Sequence, residues 1–271
     1  RRSARGRAPR ESALPDILGL HGGERMTRGT AAEATRRIQA WYDEQGYLDA
    51  EVEASLAGTP DGHRLTVSVM PGRRTTVGRI KVSGSETFAP GYIESALRQA
   101  DASGLGEGLV SRAGLDKAGK GLREFYRGHG FLETELSFGE LQPALGVSLR
   151  GRPVIVPVDV VEGPRTTLVS LDATGGTGLE APRLRDARAA LQGAPYSPGA
   201  LDDLGREIAL AYRNQGYLNA DVRVETAIDR DTHEAHAIVR VQSGQQIRLR
   251  SVVIQGNRRS RRRIIEREVA L

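Results

Sequence analysis

The 271-residue chain has no cysteine, which excludes disulfide frameworks, thiolate catalysis and cysteine-ligated zinc. It also lacks long hydrophobic runs, and none approaches the roughly 18–20 residues a helix needs to cross a bilayer. The first ten residues are basic with no apolar stretch behind them, so they do not read as a secretory signal. Lysine is scarce, at three of 39 basic residues, and this reads as codon bias rather than guanidinium chemistry. The net charge of +5 sits in two clusters: five arginines within residues 1–10, and Arg258, Arg259, Arg261, Arg262 and Arg263. Without these clusters the chain is mildly acidic, which argues against a nucleic-acid-binding body, since such a body carries its positive field on the folded surface. What remains is an ordinary globular composition, 38% hydrophobic with mean hydropathy −0.40, long enough for about two domains.

The main signal is an internal repeat. Gly46-Tyr47-Leu48-Asp49-Ala50-Glu51-Val52, Gly130-Phe131-Leu132-Glu133-Thr134-Glu135-Leu136 and Gly216-Tyr217-Leu218-Asn219-Ala220-Asp221-Val222 recur at spacings of 84 and 86 residues. Four residues before each glycine stands a tyrosine: Tyr42, Tyr126 and Tyr212. Four further back come Ile38, Leu122 and Ile208, and before them Ala34, Ala118 and Leu204. An i, i+4, i+8 series is one stripe of an amphipathic helix, and the glycine suits the left-handed position that ends it.

After each glycine the period becomes two, the signature of a strand with one buried face. Partner strands follow at Leu65/Val67/Val69, Val154–Val160 and Ala237/Val239/Val241, so each pair reads as an antiparallel hairpin. The units close at Pro71-Gly72, Glu162-Gly163 and Ser243-Gly244, and twelve residues later come Gly84, Gly175 and Gly256. Short apolar pairs before those glycines are candidate first strands, and helices are expected at about 89–100, 180–192 and 260–270. The unit is strand–helix–helix–strand–strand. Residues 1–72 form one unit without a clear first strand, 76–163 and 166–244 are complete, and 247–271 begin another. The chain therefore reads as part of a longer protein with at least four units. The second unit's second helix contains Gly114, Gly119 and Gly121 and is expected to be loosened by them.

Tyr212-Arg-Asn-Gln-Gly216-Tyr217-Leu218-Asn-Ala-Asp-Val222, the ending Glu162-Gly163 and the turn Gly256-Asn257 together resemble POTRA domains. These are the polypeptide-transport-associated repeats that precede the β-barrel of BamA-type outer-membrane assembly factors. In two units Pro71-Gly72 and Ser243-Gly244 replace the usual Glu-Gly, and 172–176 replaces the Gly-Asn turn. The resemblance implies an α+β fold of tandem βααββ repeats, each a three-stranded mixed sheet with two helices on one face. It also implies that the third strand is central and the second lies at an edge. An open edge can accept an extended chain by β-augmentation, a largely sequence-tolerant mode of binding.

The implied augmentation edges are 50–56, 134–141 and 220–227, with Glu51, Val52, Glu53, Glu135, Leu136, Ser137, Asp221, Val222 and Arg223 as candidate binding residues. Gly46, Tyr47, Gly130, Phe131, Gly216, Tyr217, Gly256 and Asn257 are expected to be structural. The implied role is a periplasmic arm at the outer membrane of a Gram-negative bacterium. Its implied partners are unfolded outer-membrane β-barrel proteins, accessory assembly lipoproteins, a β-barrel domain of the same chain and lipid headgroups at the arginine cluster. Hinges are expected at about 72–76, 163–166 and 244–247. A related translocation or two-partner-secretion arm, or a scaffold array without clients, is the alternative.

Enzymatic motifs are lacking, and neither catalytic residues nor a cofactor or metal is expected. His233-Glu234-Ala235-His236 places two histidines at i, i+3 in an expected strand, on opposite faces, rather than at i, i+4 on a helix. Gly104-Leu105-Gly106-Glu107-Gly108 joins two helices and follows no strand, so it lacks the context of a phosphate loop.

Overall fold

The computed structural model describes residues 14–19, 28–59, 62–145 and 151–248. Gly256, Asn257, the arginines at 258–263, those at 1–10 and the expected helix at 260–270 lie outside the described residues. The chain divides into two compact units, residues 1–166 and 167–271.

The first unit opens with α1 (Leu14–Leu18) and α2 (Arg28–Glu44), followed by the hairpin β1 (Glu51–Thr59) and β2 (Gly62–Met70). A second repeat follows: β3 (Thr75–Ser83), α3 (Pro90–Ala100), α4 (Arg112–Gly128), β4 (Glu135–Phe138), β5 (Gln142–Pro143) and β6 (Arg152–Val161). The second unit contains β7 (Thr167–Gly175), α5 (Ala181–Leu191), α6 (Pro198–Asn214), β8 (Asp221–Asp229) and β9 (Glu234–Gln242). The fold is α+β, and its complete sheets have the orders β3-β6-β4 and β7-β9-β8. In each the first strand is parallel and the second antiparallel to the central third strand. In the first repeat the described sheet is the β1–β2 pair alone.

The three helix stripes are buried as the periodicity requires: Ala34, Ile38 and Tyr42; Ala118, Leu122 and Tyr126; Leu204, Ile208 and Tyr212. Each long helix ends in the same left-handed turn, with φ of 83°, 91° and 88° at Gly46, Gly130 and Gly216. There the N–H after the glycine donates to the stripe tyrosine's carbonyl, Tyr47 to Tyr42 at 2.9 Å, Phe131 to Tyr126 and Tyr217 to Tyr212 at 3.0 Å. The glycine N–H donates to the residue between, completing a Schellman motif. The paired rings meet edge to face at 5.8, 5.8 and 5.6 Å, the apolar contact that accompanies this cap. At the N-termini, Ser111 and Ser197 accept from the N–H groups of Gly114 and Ala200.

The glycines of α4 tighten the packing rather than loosen the helix, which corrects the expectation above. A Cβ at Gly121 would collide with Ala100 of α3, and one at Gly119 would stand 3.1 Å from the Phe138 ring of β4. Each glycine admits a neighbour that any other residue would push away, which offsets its low helix propensity. Gly84 directly follows β3 and Gly175 ends β7, both at φ 77°, where a side chain would strike the carbonyl of Val160 or Val241.

The segments read as hinges are each tied back to their own repeat. The N–H of Thr75, Thr166 and Ile247 donates to the carbonyl of Gly46, Gly130 and Gly216 at 2.7, 2.8 and 2.8 Å. The side chain one residue earlier, Arg74, Arg165 or Gln246, donates to the carbonyl before that glycine. Arg74 and Arg165 also lie over the rings of Tyr47 and Phe131 at 5.6 and 5.4 Å. Within the first unit, Asp43 accepts from the Arg112 N–H at 2.9 Å and its guanidinium at 3.0 Å, and Leu48 packs against the second repeat's core. The 72–76 segment is thus flanked by packed contacts.

Candidate functional site

The edges of the two complete sheets differ in what covers them. On the first-strand side, a bulge at 77/79 in β3 and at 168/170 in β7 breaks the register with the central strand. Beside each bulge the loop between the two helices pairs with the strand. Val77 donates to Gly108, Val110 to Thr75, Leu168 to Ala194 and Gly193 to Leu168. The loop thereby consumes backbone groups that an added strand would need.

The second-strand side has no described partner in any repeat. The N–H of Gly139 donates to the carbonyl of Pro157 at 3.1 Å. Antiparallel pairs alternate, so Glu135 and Ser137 exchange bonds with β6, while Leu136 and Phe138 turn N–H and C=O to the open side. Glu225 opposite Ile238 takes the same place in the third repeat, so Val222, Val224, Thr226 and Ile228 face their backbone groups outward. Side chains follow the pleat. Val52, Leu136 and Val222 are half-buried against the helices, while Glu51, Glu53, Glu135, Ser137 and Arg223 are exposed.

The edge of the second repeat is shorter than 134–141. Strand pairing stops at Phe138 and resumes only at Gln142–Pro143. Pro157 and Pro153 of the central strand supply the reason. Their carbonyls accept from Gly139 and Ala144 at 3.1 Å each, so their ring nitrogens face the same side and have no hydrogen to return. The ladder loses a donor opposite each of those residues, and the chain bulges between them.

β8 is uninterrupted for nine residues, and β9 contains no proline. Between β8 and α6 runs a groove of about 330 Å³ lined by Gly205, Ala209, Ala220, Val222 and Val224, with Asp202, Arg206, Arg213 and Asp221 at its rim. Gly205 keeps it open: a Cβ there would stand 3.1 Å from Val224 Cγ2. Asp229 closes the β8–β9 turn by accepting from the Thr232 and Asp231 N–H groups, which hold its carboxyl below the usual range.

A family model for POTRA, described as the surface antigen variable number repeat, matches residues 6–72 and 174–244. The chain belongs to this family. It is 19% identical over 234 residues to a protein of Treponema pallidum (strain Nichols) described as an outer membrane protein assembly factor, covering 86% of this chain and 28% of that one. The chain thus spans under a third of that relative's length. Among solved structures, POTRA3–5 of Haemophilus influenzae BamA is similar at 17% identity and TM-score 0.44, over 74% of this chain and 79% of that one. POTRA1–3 of the periplasmic domain of Anabaena Omp85 is similar at 15% identity and TM-score 0.38, over 88% and 90%. Among the described residues no helix is long and apolar enough to cross a membrane.

In these POTRA repeats Glu51, Val52 and Glu53 lie on β1, Glu135, Leu136 and Ser137 on β4, and Asp221, Val222 and Arg223 on β8. They are three separate edges. His233 stands in the turn before β9 at φ 56°, not in a strand, while His236 is on β9 and meets Ser170 Oγ at 2.9 Å. Sequence reading missed the helix side of the groove, Gly205 and Ala209. Their only trace is a small residue one position after Leu204 and after Ile208 of the α6 stripe, a pattern equally at home on a solvent face.

The closing Glu-Gly also has a structural role. Glu162 accepts from Ser85 and Thr87 hydroxyls and from the Glu86 and Thr87 N–H groups, and lies 3.1 Å from the Tyr126 hydroxyl. Burial alone would raise its pKa, but the Thr87, Ser85 and Tyr126 hydrogen bonds outweigh it and bring the carboxyl below its ordinary value. Burial, reinforced by Glu162, pushes the Tyr126 phenol up to about 12. In the third repeat Ser243 replaces this glutamate. The Tyr212 hydroxyl bonds instead to Glu180, at the start of α5, and accepts from Thr177 N–H at 2.7 Å.

Proposed function

We propose that this chain is part of the periplasmic arm of an outer-membrane β-barrel assembly factor, and that it receives unfolded outer-membrane proteins by strand addition. On this reading β8 is the principal docking edge. The observation that carries it is an uninterrupted nine-residue edge with four outward backbone positions, beside a groove floored by small and apolar residues and rimmed by charged ones. The covered first-strand edges and the proline-broken β4 support the choice. Binding through main-chain hydrogen bonds suits a receptor for many sequences, because specificity then rests on the alternation of side chains alone. Accessory lipoproteins, lipid headgroups and a β-barrel of the same chain are further partners on this reading.

The test is amide mapping on the full chain. A peptide copied from one strand of an outer-membrane β-barrel is added, and backbone shifts and exchange protection are followed. Changes centred on Val222, Val224 and Thr226 are expected. A peptide that leaves all three second-strand edges unchanged would sink strand addition and favour a scaffold without clients.

A further inference from the structure

The groove between α6 and β8 carries two charges that the fold does not use. Arg206 is paired with Asp203, Arg223 with Asp221 at 2.8 Å, and Glu225 with Arg240 at 2.7 Å. Asp202 and Arg213, also at the rim, are exposed and have no ion pair among the described residues. They stand eleven residues apart on α6, about 16 Å along the helix axis. Between them the groove floor is Gly205 and Ala209 on the helix and Val222 and Val224 on the strand.

An extended chain lying along β8 places residues i, i+2 and i+4 on the helix-facing side, with i and i+4 about 13–14 Å apart. The reach of an arginine side chain covers the remaining difference. We infer that Asp202 and Arg213 are specificity determinants of this groove, selecting an extended strand that runs antiparallel to β8 with a carboxylate opposite Arg213 and a cation opposite Asp202, four residues apart. A small apolar side chain at the position between them would rest on Gly205 and Ala209. This inference rests on the strand-addition reading above and adds a charge code to it. The same residue types recur at Asp116 and Arg127 of α4, but there Arg127 is held 3.8 Å from Glu124 and the neighbouring edge is four residues long. In α2 the matching positions are Ala32 and Asp43, and Asp43 is committed to Arg112.

Two ten-residue probe peptides of identical composition test the code. Both alternate valine and serine. One carries glutamate at i and lysine at i+4 on the valine face, and the other carries them reversed. On the full chain one peptide should bind roughly fivefold tighter than the other, as expected for two exposed ion pairs. The doubly reversed variant Asp202→Lys/Arg213→Glu should invert that preference, and the difference should shrink at high salt. Circular dichroism of the variant checks the fold, since both residues are exposed. Equal affinities with no inversion, while both peptides still shift the Val222 and Val224 amides, would overturn the charge code and leave strand addition standing. Shifts at β1 or β4 instead would move the docking edge and overturn the code. Peptides that shift no second-strand amide would overturn strand addition, and the code with it.

Discussion

The second and third repeats are built from the same elements, the same helix caps and the same bulge in the first strand, yet their open edges are unlike. In the third, β8 pairs with β9 over nine residues. In the second, β4 pairs over four, then leaves the central strand and returns for two. The difference lies in the neighbouring strand. Ile238 faces Glu225 where Pro157 faces Gly139, and a missing N–H in the central strand disorganises the edge strand beside it. A proline in the central strand thus interrupts the edge beside it. The core face of β6 is untouched, since Val154, Val156, Val158 and Val160 all remain buried.

The strongest test of the shared architecture is to cut both cores at the same place. Leu122→Ala and Ile208→Ala remove fully buried side chains from equivalent stripe positions. Each should cost about 2–5 kcal/mol in denaturant unfolding. A loss in only one repeat would show that the two cores are not built alike. Next come the tyrosine hydroxyls, bonded to non-equivalent carboxylates. Tyr126→Phe and Tyr212→Phe should each cost about 1–2 kcal/mol, because the first leaves half-buried Ser85 and Glu162, and the second buried Glu180, short of a bond.

Tyr126 also sharpens the comparison in alkali. Its pKa is raised from 10.0 to about 12 in the folded chain, so its contribution is complete below 10 and lost as pH rises through 12. Tyr126→Phe should flatten that part of a melting-temperature profile against pH.

Replacing the prolines attacks the difference itself. Pro153→Val/Pro157→Val restores two donors, each worth about 1 kcal/mol, while freeing the unfolded chain by a similar amount. Net stability should therefore change little. Exchange protection should appear at residues 139–144, and the second repeat should gain peptide-induced amide shifts. If β4 stays short, the prolines are not what broke it.

The smallest effect is on the acid side. The Glu162 pKa is lowered on folding, so its stabilisation is present above the ordinary carboxylate range and lost as pH falls through the folded value. Glu162→Gln should lower the melting temperature modestly at neutral pH and converge with the parent once pH has fallen below the carboxyl's lowered folded value. Parallel profiles would show that the carboxylate charge contributes nothing there.

Much of this fold was legible locally. A tyrosine four residues before a glycine, an aromatic after it and apolar residues at i−4 and i−8 prescribe a capped amphipathic helix, because every contact involved lies within one turn or one stripe. The period-two runs after each glycine prescribed the hairpins for the same reason. The family resemblance placed the third strand at the centre, which periodicity could not do. Glycines in α4 misled because helix propensity is an average, whereas Gly119 and Gly121 answer to Phe138 and Ala100, distant in sequence. The candidate edge residues were found as strands. Their unequal availability was not, since it depends on Pro153 and Pro157 facing one neighbour rather than the other.

By itself, then, the sequence determined the repeat, the helix stripes, the left-handed caps and the alternating strands, all of which follow from interactions between residues close along the chain. Only the tertiary structure decided which edges stay open, that the inter-helix loops cover the first strands, that a glycine on α6 keeps a groove clear beside β8, and which carboxylate serves each buried tyrosine. Those outcomes depend on the direction of single backbone groups and on distances between elements tens of residues apart, and no local pattern encodes either.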